Sequence, residues 1–137
     1  MTDAIDLHLT AARAAREEGR AADARNAYAR AAALARESAR PLLRAHALRH
    51  LSDLDREARQ PESALAHAEQ AVALYRKAGG TPLDLANALR LQALALEDLR
   101  REAIAIWTEA RDLYRTAGVE AGAAECEAKL AVGETED

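Results

Sequence analysis

The sequence predicts an all-α protein built from a repeated helical unit, and three observations support this prediction. Half of its 137 residues are apolar but only 3% are aromatic, so the apolar residues are mostly Ala and Leu, which favour helices. Residues with branched Cβ atoms, which favour strands, are scarce. One spacing of two alanines around a central residue recurs after 40 and then 39 residues. Its three copies are Ala24/Tyr28/Ala31, Ala64/Ala68/Ala71 and Ala103/Trp107/Ala110.

A fixed period of this size indicates stacked copies of one supersecondary unit. The chain is long enough to bury a core without disulfides or a metal, so we predict a single domain over residues 1–137. We place its three units at about residues 4–40, 41–80 and 81–118. A capping helix over residues 119–132 and a frayed tail over residues 133–137 follow them.

The first unit is predicted to contain helices over residues 4–18 and 21–39. Ile5 and Leu9 recur at helical spacing in the first of these helices. Gly19 follows as the break, because glycine adopts the left-handed conformation that commonly ends a helix.

The second unit opens at Pro41, since proline is favoured in the first turn of a helix. Its first helix is interrupted by Arg59-Gln60-Pro61, and its second helix continues from there to Ala78. Gly79-Gly80 then ends the second helix where a left-handed cap is needed.

The third unit begins with Thr81 as the N-cap and Pro82 in the first turn. We predict its helices over residues 82–98 and about 101–117, with Gly118 as the final break. The last helix then resembles the first half of a fourth unit, retained as a lid.

Small residues in the first helices (Ala12, Ser52), the turn glycine Gly19 and the alanine spacing of the second helices together resemble the tetratricopeptide repeat. The resemblance covers nearly the whole chain. The period exceeds the usual 34 residues by about five to six, which is similar to the extended repeats of the kinesin light chain type. Ala68 stands where the motif has an aromatic residue. The resemblance implies a right-handed α-solenoid.

In this family the first helices line a concave groove that binds peptides or protein segments, so we expect a non-enzymatic interaction module. Arg49 and Arg90 occupy equivalent places, and two guanidinium groups in adjacent units would suit an acidic partner. The alternative is that both arginines pair with acids of this chain. The groove positions that the resemblance implies are Leu9, Arg13, His46, Arg49, His50, Asp53, Asn87, Arg90, Leu91 and Leu94.

A metal site is a further alternative, because His46, His50 and Asp53 lie at i, i+4 and i+7 on one helical stripe. A catalytic zinc needs three ligands with supporting hydrogen bonds, and no His-Glu-x-x-His pattern or pair of cysteine ligands accompanies these residues. We therefore favour a polar groove wall and predict no metal and no cofactor.

Other enzyme signatures are absent from the sequence, which has no phosphate-binding glycine loop and no nucleophile elbow. Cys126, the only cysteine, lies on the apolar stripe of the last helix and is expected to be an inert buried thiol. Trp107 should lie in the core, since one aromatic residue in each helical pair fills the gap between units. His8 and His67 are expected to be partly buried residues and not ligands.

The charge pattern argues against nucleic acid and membrane partners. The net charge is −4, although residues 13–50 hold nine Arg and only four acidic residues. This basic region lacks the interleaved aromatic residues typical of nucleic-acid surfaces, and long Arg stems commonly cover helices in solvent. The sequence also has no leader pattern, no membrane-spanning stretch and no disulfide pair, so we expect a cytoplasmic protein.

The alternative function is self-association. Three units and a thin lid leave short exposed ends, and homodimers are common among minimal repeat arrays. A dimer would either extend the groove or cover it. The sequence therefore leaves two functions open, namely binding a peptide or protein, with an acidic segment as the best match, and forming a homo-oligomer.

Overall fold

The structure is a computed structural model that describes the backbone of residues 3–135 and the side chains of residues 3–132. Over this part of the chain seven α-helices follow one another without any strand, which confirms the all-α class. The helices are α1 (Ala4–Glu17), α2 (Ala21–Glu37), α3 (Pro41–Glu57), α4 (Pro61–Ala78), α5 (Pro82–Asp98), α6 (Ile104–Ala117) and α7 (Glu120–Thr135). Each helix packs against the next one in sequence, and α3 also contacts α5.

Two helix bounds differ from the sequence prediction by three residues, and the other bounds differ by two residues at most. Helix α6 begins at Ile104 and not near residue 101, because the Arg101 backbone N–H still closes the preceding turn on Leu96. The backbone N–H of Ile104 donates to Glu102, which caps the helix start. Helix α7 continues to Thr135 through the predicted frayed tail, since a single glycine lowers helix stability without ending the helix. Residues 136–137 lie outside the described residues.

The six turns between helices share one backbone geometry. Gly19, Gly79 and Gly118 adopt φ angles of 77°, 81° and 74°, as predicted for left-handed caps. The same conformation occurs at residues other than glycine in the remaining turns. These residues are Ala39 (φ 56°), Arg59 (φ 61°) and Arg100 (φ 58°). In each turn the next N–H bonds to a carbonyl five residues back, as between Arg40 and Ala35 at 2.8 Å.

The core between the helices consists of alanines together with leucines and aromatic side chains. All the alanines of the repeated spacing are buried, which lets neighbouring helices approach closely. Trp107 is only 2% exposed, so its predicted place in the core is confirmed. Its indole N–H donates to Glu97 at 2.9 Å, which satisfies the one polar group of the ring.

Ion pairs connect the first helix of one unit with the first helix of the next. Arg16 of α1 lies 3.1 Å from Glu57 of α3, and Arg56 of α3 lies 2.8 Å from Asp98 of α5. A third pair joins α5 to α7, through Glu97 and Lys129 at 3.0 Å. Because these pairs are partly exposed, each contributes about 0–1 kcal/mol, and their main effect is to fix which helix ends lie side by side.

Candidate functional site

Three of the predicted groove residues, Leu9, Arg13 and His46, line an open cleft between α1 and α3. We call it the α1–α3 cleft, and its volume is about 540 Å³. The end of α4 and the start of α5 contribute one residue each. Its other lining residues are Asp6, Thr10, Leu42, Leu43, Tyr75 and Asp84.

A second depression of about 480 Å³ lies next to this cleft, because Arg13 lines both. It brings His50 and Asp53 beside Tyr28 of α2 and Arg16 of α1. Five predicted groove residues therefore lie along one continuous surface between the first helices of units one and two.

The two histidines of this surface are held by ring contacts. The His46 and His50 rings meet edge to face, with their centroids 4.6 Å apart. The His50 ring stacks on Tyr28 at 4.9 Å with an interplanar angle of 8°. Burial lowers the pKa of His46, with a further contribution from Arg49. Burial, His46 and nearby arginines lower the pKa of His50 to about 4, so both rings are neutral at pH 7.

The structure does not assemble His46, His50 and Asp53 as a set of ligands. The Asp53 carboxylate instead accepts a hydrogen bond from Arg16. Among the side chains of residues 3–132, no group of three His, Cys, Asp or Glu residues could hold a metal ion. The His46–His50 pair is therefore an uncharged part of the groove wall.

Arg13 of the α1–α3 cleft and Arg49 of α3 keep unused hydrogen-bonding capacity. Arg13 is exposed, and within the described residues it has no ion-pair partner. Arg49 is 17% exposed, and its Nη1 lies 3.9 Å from Asp84 Oδ1, which is too far for a hydrogen bond. This Nη1 is buried without any hydrogen-bond partner among the described residues. Such a donor is costly to leave unpaired.

The predicted groove residues of α5 are engaged inside the molecule. Arg90 donates to both carboxylate oxygens of Glu125, at 2.5 and 3.1 Å, so internal pairing is what the structure shows for this arginine. The Asn87 side-chain oxygen accepts from the Tyr114 hydroxyl at 2.7 Å. Leu91 and Leu94 are buried, being 5% and 8% exposed. The sequence equivalence of Arg49 and Arg90 thus does not extend to their surroundings.

Six of the nine cleft residues were not among the groove residues predicted from the sequence, and two of these six, Tyr75 and Asp84, come from helices other than α1 and α3. Asp84 follows the predicted N-cap Thr81 and completes a capping box, in which Thr81 Oγ1 accepts from the Asp84 N–H at 3.1 Å. This spacing is recognisable in the sequence and places Asp84 in the first turn of α5. No comparable signal locates Tyr75, because its contact with the cleft depends on how α4 packs against α3.

Two other residues that the sequence singles out are Cys126, which lies in the core, and His67, which lies beside a buried carboxylate. Cys126 is fully buried, and burial raises the pKa of its thiol to about 11, as expected for an inert cysteine. His67 is partly buried, with Nδ1 2.7 Å from a carboxylate oxygen of Asp55. The buried Asp55 also accepts from Arg25 at 2.9 Å.

None of the helices within residues 3–135 is long and apolar enough to cross a membrane.

Comparison with known proteins gives no match, either to a family model or to a curated protein. The resemblance to the tetratricopeptide repeat therefore rests on the repeated residues of this chain.

Proposed function

We propose that this protein is a non-enzymatic interaction module, which binds a peptide or protein segment on the surface formed by its first helices. The observation that supports this function best is the α1–α3 cleft, where apolar side chains lie beside Arg13, an arginine that has no ion-pair partner among the described residues. A cleft of this volume accepts a few side chains of a bound segment and leaves the rest in solvent.

The same proposal includes the arrangement of the helical units and the cellular compartment of the protein. We infer a right-handed solenoid of three tetratricopeptide-like units with α7 as a cap, in the cytoplasm. Two observations support the solenoid. The alanine spacing repeats after 40 and then 39 residues, and the helices alternate with turns that share one left-handed residue. In such a solenoid, consecutive first helices lie side by side and form the concave surface.

The chemistry of the cleft favours an amphipathic segment. Leu9 and Leu43 offer apolar contact, and the exposed guanidinium of Arg13 offers a partner for a carboxylate. Asp6 and Asp84 line the same cleft, so a purely acidic ligand would meet repulsion there. His46 adds a neutral ring with one donor and one acceptor. We therefore expect a bound segment that combines an apolar side chain with a single carboxylate near Arg13.

The test uses a charge reversal with a matched control. Arg13→Glu changes the cleft, and Arg30→Glu changes an arginine of α2 that is also exposed and has no ion-pair partner among residues 3–132. A partner captured from the native lysate by the parent is purified, and its dissociation constant is measured for all three proteins. We expect about tenfold weaker binding for Arg13→Glu and an unchanged constant for Arg30→Glu.

Hydrogen exchange then locates the bound segment. Partner binding should slow amide exchange in α1 and α3, because these helices form both walls of the cleft. Equal affinity for both variants, or protection confined to other helices, would contradict the proposed groove.

Self-association is the second candidate, and exposed leucines favour it. Leu7 is 58% exposed and Leu42 is 43% exposed, and Leu42 also lines the α1–α3 cleft. Two copies facing each other would remove both side chains from water. A Leu7→Ser/Leu42→Ser variant should then lose any rise of molar mass with concentration that the parent shows in sedimentation equilibrium. A parent mass that stays monomeric would exclude this candidate.

A further inference from the structure

A third depression, separate from the α1–α3 cleft and from the depression beside it, lies where the ends of α2 and α4 meet the start of α3. We call it the basic cleft, and its volume is about 430 Å³. Four of its lining residues are cations and none is acidic. The cations are Arg36 of α2, Arg40 and Arg44 at the start of α3, and Lys77 of α4.

Most of this positive charge is not neutralised within the molecule. Arg40 pairs with Asp3. The side chains of Arg36, Arg44 and Lys77 have no hydrogen-bond or ion-pair partner within the part of the chain that the structure describes. The floor between them is apolar and includes Ala35 and Leu74. The basic cleft thus combines free cationic groups with apolar surface.

The repeat itself does not require this charge. One unit further along the chain, Arg76 corresponds to Arg36, and two hydrogen bonds of 2.7 Å join it to Glu109. Gln70 holds the place of Glu109 in the second unit, so Arg36 is left without its acid. The counterparts of Arg44 and Lys77 are the uncharged residues Leu85 and Thr116.

Helix dipoles explain only part of the arrangement. Arg36 and Lys77 lie in the last turns of their helices, where a cation is favourable. Arg44 lies near the start of α3, where the dipole is positive and a cation is unfavourable. This helix has no acidic residue in its first turn and no side-chain cap. The start of α3 therefore keeps a positive charge at Arg44 that its own helix does not compensate, and an anion there would be favourable.

We propose that the basic cleft binds an acidic segment of a partner protein, with one apolar side chain on the floor and carboxylates on Arg36, Arg44 and Lys77. Arginine pairs well with carboxylates, and the apolar floor would stay uncovered beneath a simple inorganic anion. No aromatic side chain lines the cleft for base stacking, and the net charge of −4 opposes nucleic acid. This site is distinct from the groove and does not depend on it.

The test uses a labelled peptide in which one leucine is flanked on each side by two glutamates, and binding is followed by fluorescence anisotropy at low salt. Arg36→Glu/Lys77→Glu is compared with Arg30→Glu/Arg101→Glu, which changes the same number of exposed charges elsewhere on the molecule. We expect the first variant to bind at least about tenfold more weakly than the parent, and the second to bind within about twofold.

Control ligands test each part of the proposal. A peptide with glutamines in place of glutamates, and one with serine in place of leucine, should both bind more weakly than the parent peptide. Equal binding of the serine peptide, full competition by inorganic phosphate, or equal losses in the two variants would each overturn the proposal. The neutral variant Arg36→Gln/Lys77→Gln replaces the charge reversal if circular dichroism shows altered folding, and it too must weaken binding.

Discussion

Gly122 lies in α7 directly against the buried ring of Tyr114. A Cβ atom at this position would come within 2.5 Å of Tyr114 Cδ1 and 2.6 Å of Cγ. The ring cannot easily move, because it is 3% exposed and its hydroxyl donates to Asn87. Glycine is thus required here by packing, although alanine is the better helix former by about 1 kcal/mol.

Gly122→Ala should therefore lower the free energy of unfolding by about 1–3 kcal/mol, because the cost of overpacking exceeds the gain in helix propensity. Urea unfolding monitored by circular dichroism measures this change. The same substitution made in a Tyr114→Ser background should be stabilising, because the ring that it meets is gone. A stabilising effect of Gly122→Ala in the parent would show that α7 lies further from Tyr114.

The pH dependence of stability should reflect His50. Its pKa in the folded protein is about 4, below the ordinary value of 6.5, so the unfolded chain takes up the proton first. Protonation then favours unfolding, and the stability present above pH 6.5 is progressively lost as the pH falls towards 4. Asp53 opposes this shift, whereas His46, Arg49 and Arg16 add to burial.

We expect His50→Gln to lose less stability than the parent between pH 7 and pH 5, because glutamine does not titrate. The comparison uses urea unfolding at both pH values, and the difference between the two losses isolates the histidine from carboxylates common to both proteins. Equal losses in the two proteins would mean that the His50 ring is more open to water than its contacts with Tyr28 and His46 indicate.

At the scale of elements, the turns show that backbone geometry is maintained where the sequence lacks glycine. Arg59 adopts a φ angle of 61°, although the left-handed region costs a residue with a side chain about 1–2 kcal/mol. The turn persists because the Gln60 N–H bonds to the Asp55 carbonyl at 2.8 Å and the flanking helices pack together. The strain is local and can be relieved by one substitution.

Arg59→Gly should raise the free energy of unfolding by about 1 kcal/mol, since glycine adopts this conformation without steric cost. Arg59 has no ion-pair partner among the described residues, so removing its side chain costs little. Ala58→Gly is the matched control, because Ala58 precedes it in the same turn with a φ angle of −83° and should be destabilised by glycine. A loss of stability in Arg59→Gly as large as that in the control would contradict this account of the turn.

At the scale of the whole molecule, the helices pack mainly against their neighbours in sequence. Stability in such an array is approximately a sum over units and the interfaces between them. Trp107 lies at the interface of α5 and α6, where its indole is hydrogen-bonded to Glu97. A defect at this residue should therefore weaken the end of the array that contains it more than the other end.

Trp107→Ala should cost about 3–5 kcal/mol and should speed amide exchange in α5, α6 and α7 more than in α1 and α2. Native-state hydrogen exchange with mass spectrometry gives the change for each helix. Ile104→Ala, which truncates a side chain that is 48% exposed in the same helix, should leave the pattern close to that of the parent. A uniform loss of protection along the chain would mean that the molecule unfolds as one cooperative unit.

The helices and the core could be predicted from the sequence because their signals are local. Prolines and glycines mark where helices start and end, and the repeated spacing identifies alanines that are buried. Trp107 was predicted in the core for the same reason. The left-handed conformation of Ala39, Arg59 and Arg100 was not predicted from the sequence. No glycine marks these three turns, and only the packing of the flanking helices imposes their geometry.

The sequence alone thus determined that this chain is helical, where its helices lie except for the start of α6 and the end of α7, and which alanines of the second helices are buried. The surroundings of the charged groups were decided only by the tertiary structure. Arg49 and Arg90 are equivalent in sequence, yet Arg90 is paired with Glu125 while Arg49 keeps a buried donor that has no hydrogen-bond partner among the described residues. The physical reason is that helix formation depends on residues within a few turns, whereas an ion pair such as Arg90–Glu125 or Arg16–Glu57 joins residues that are 35 or 41 positions apart.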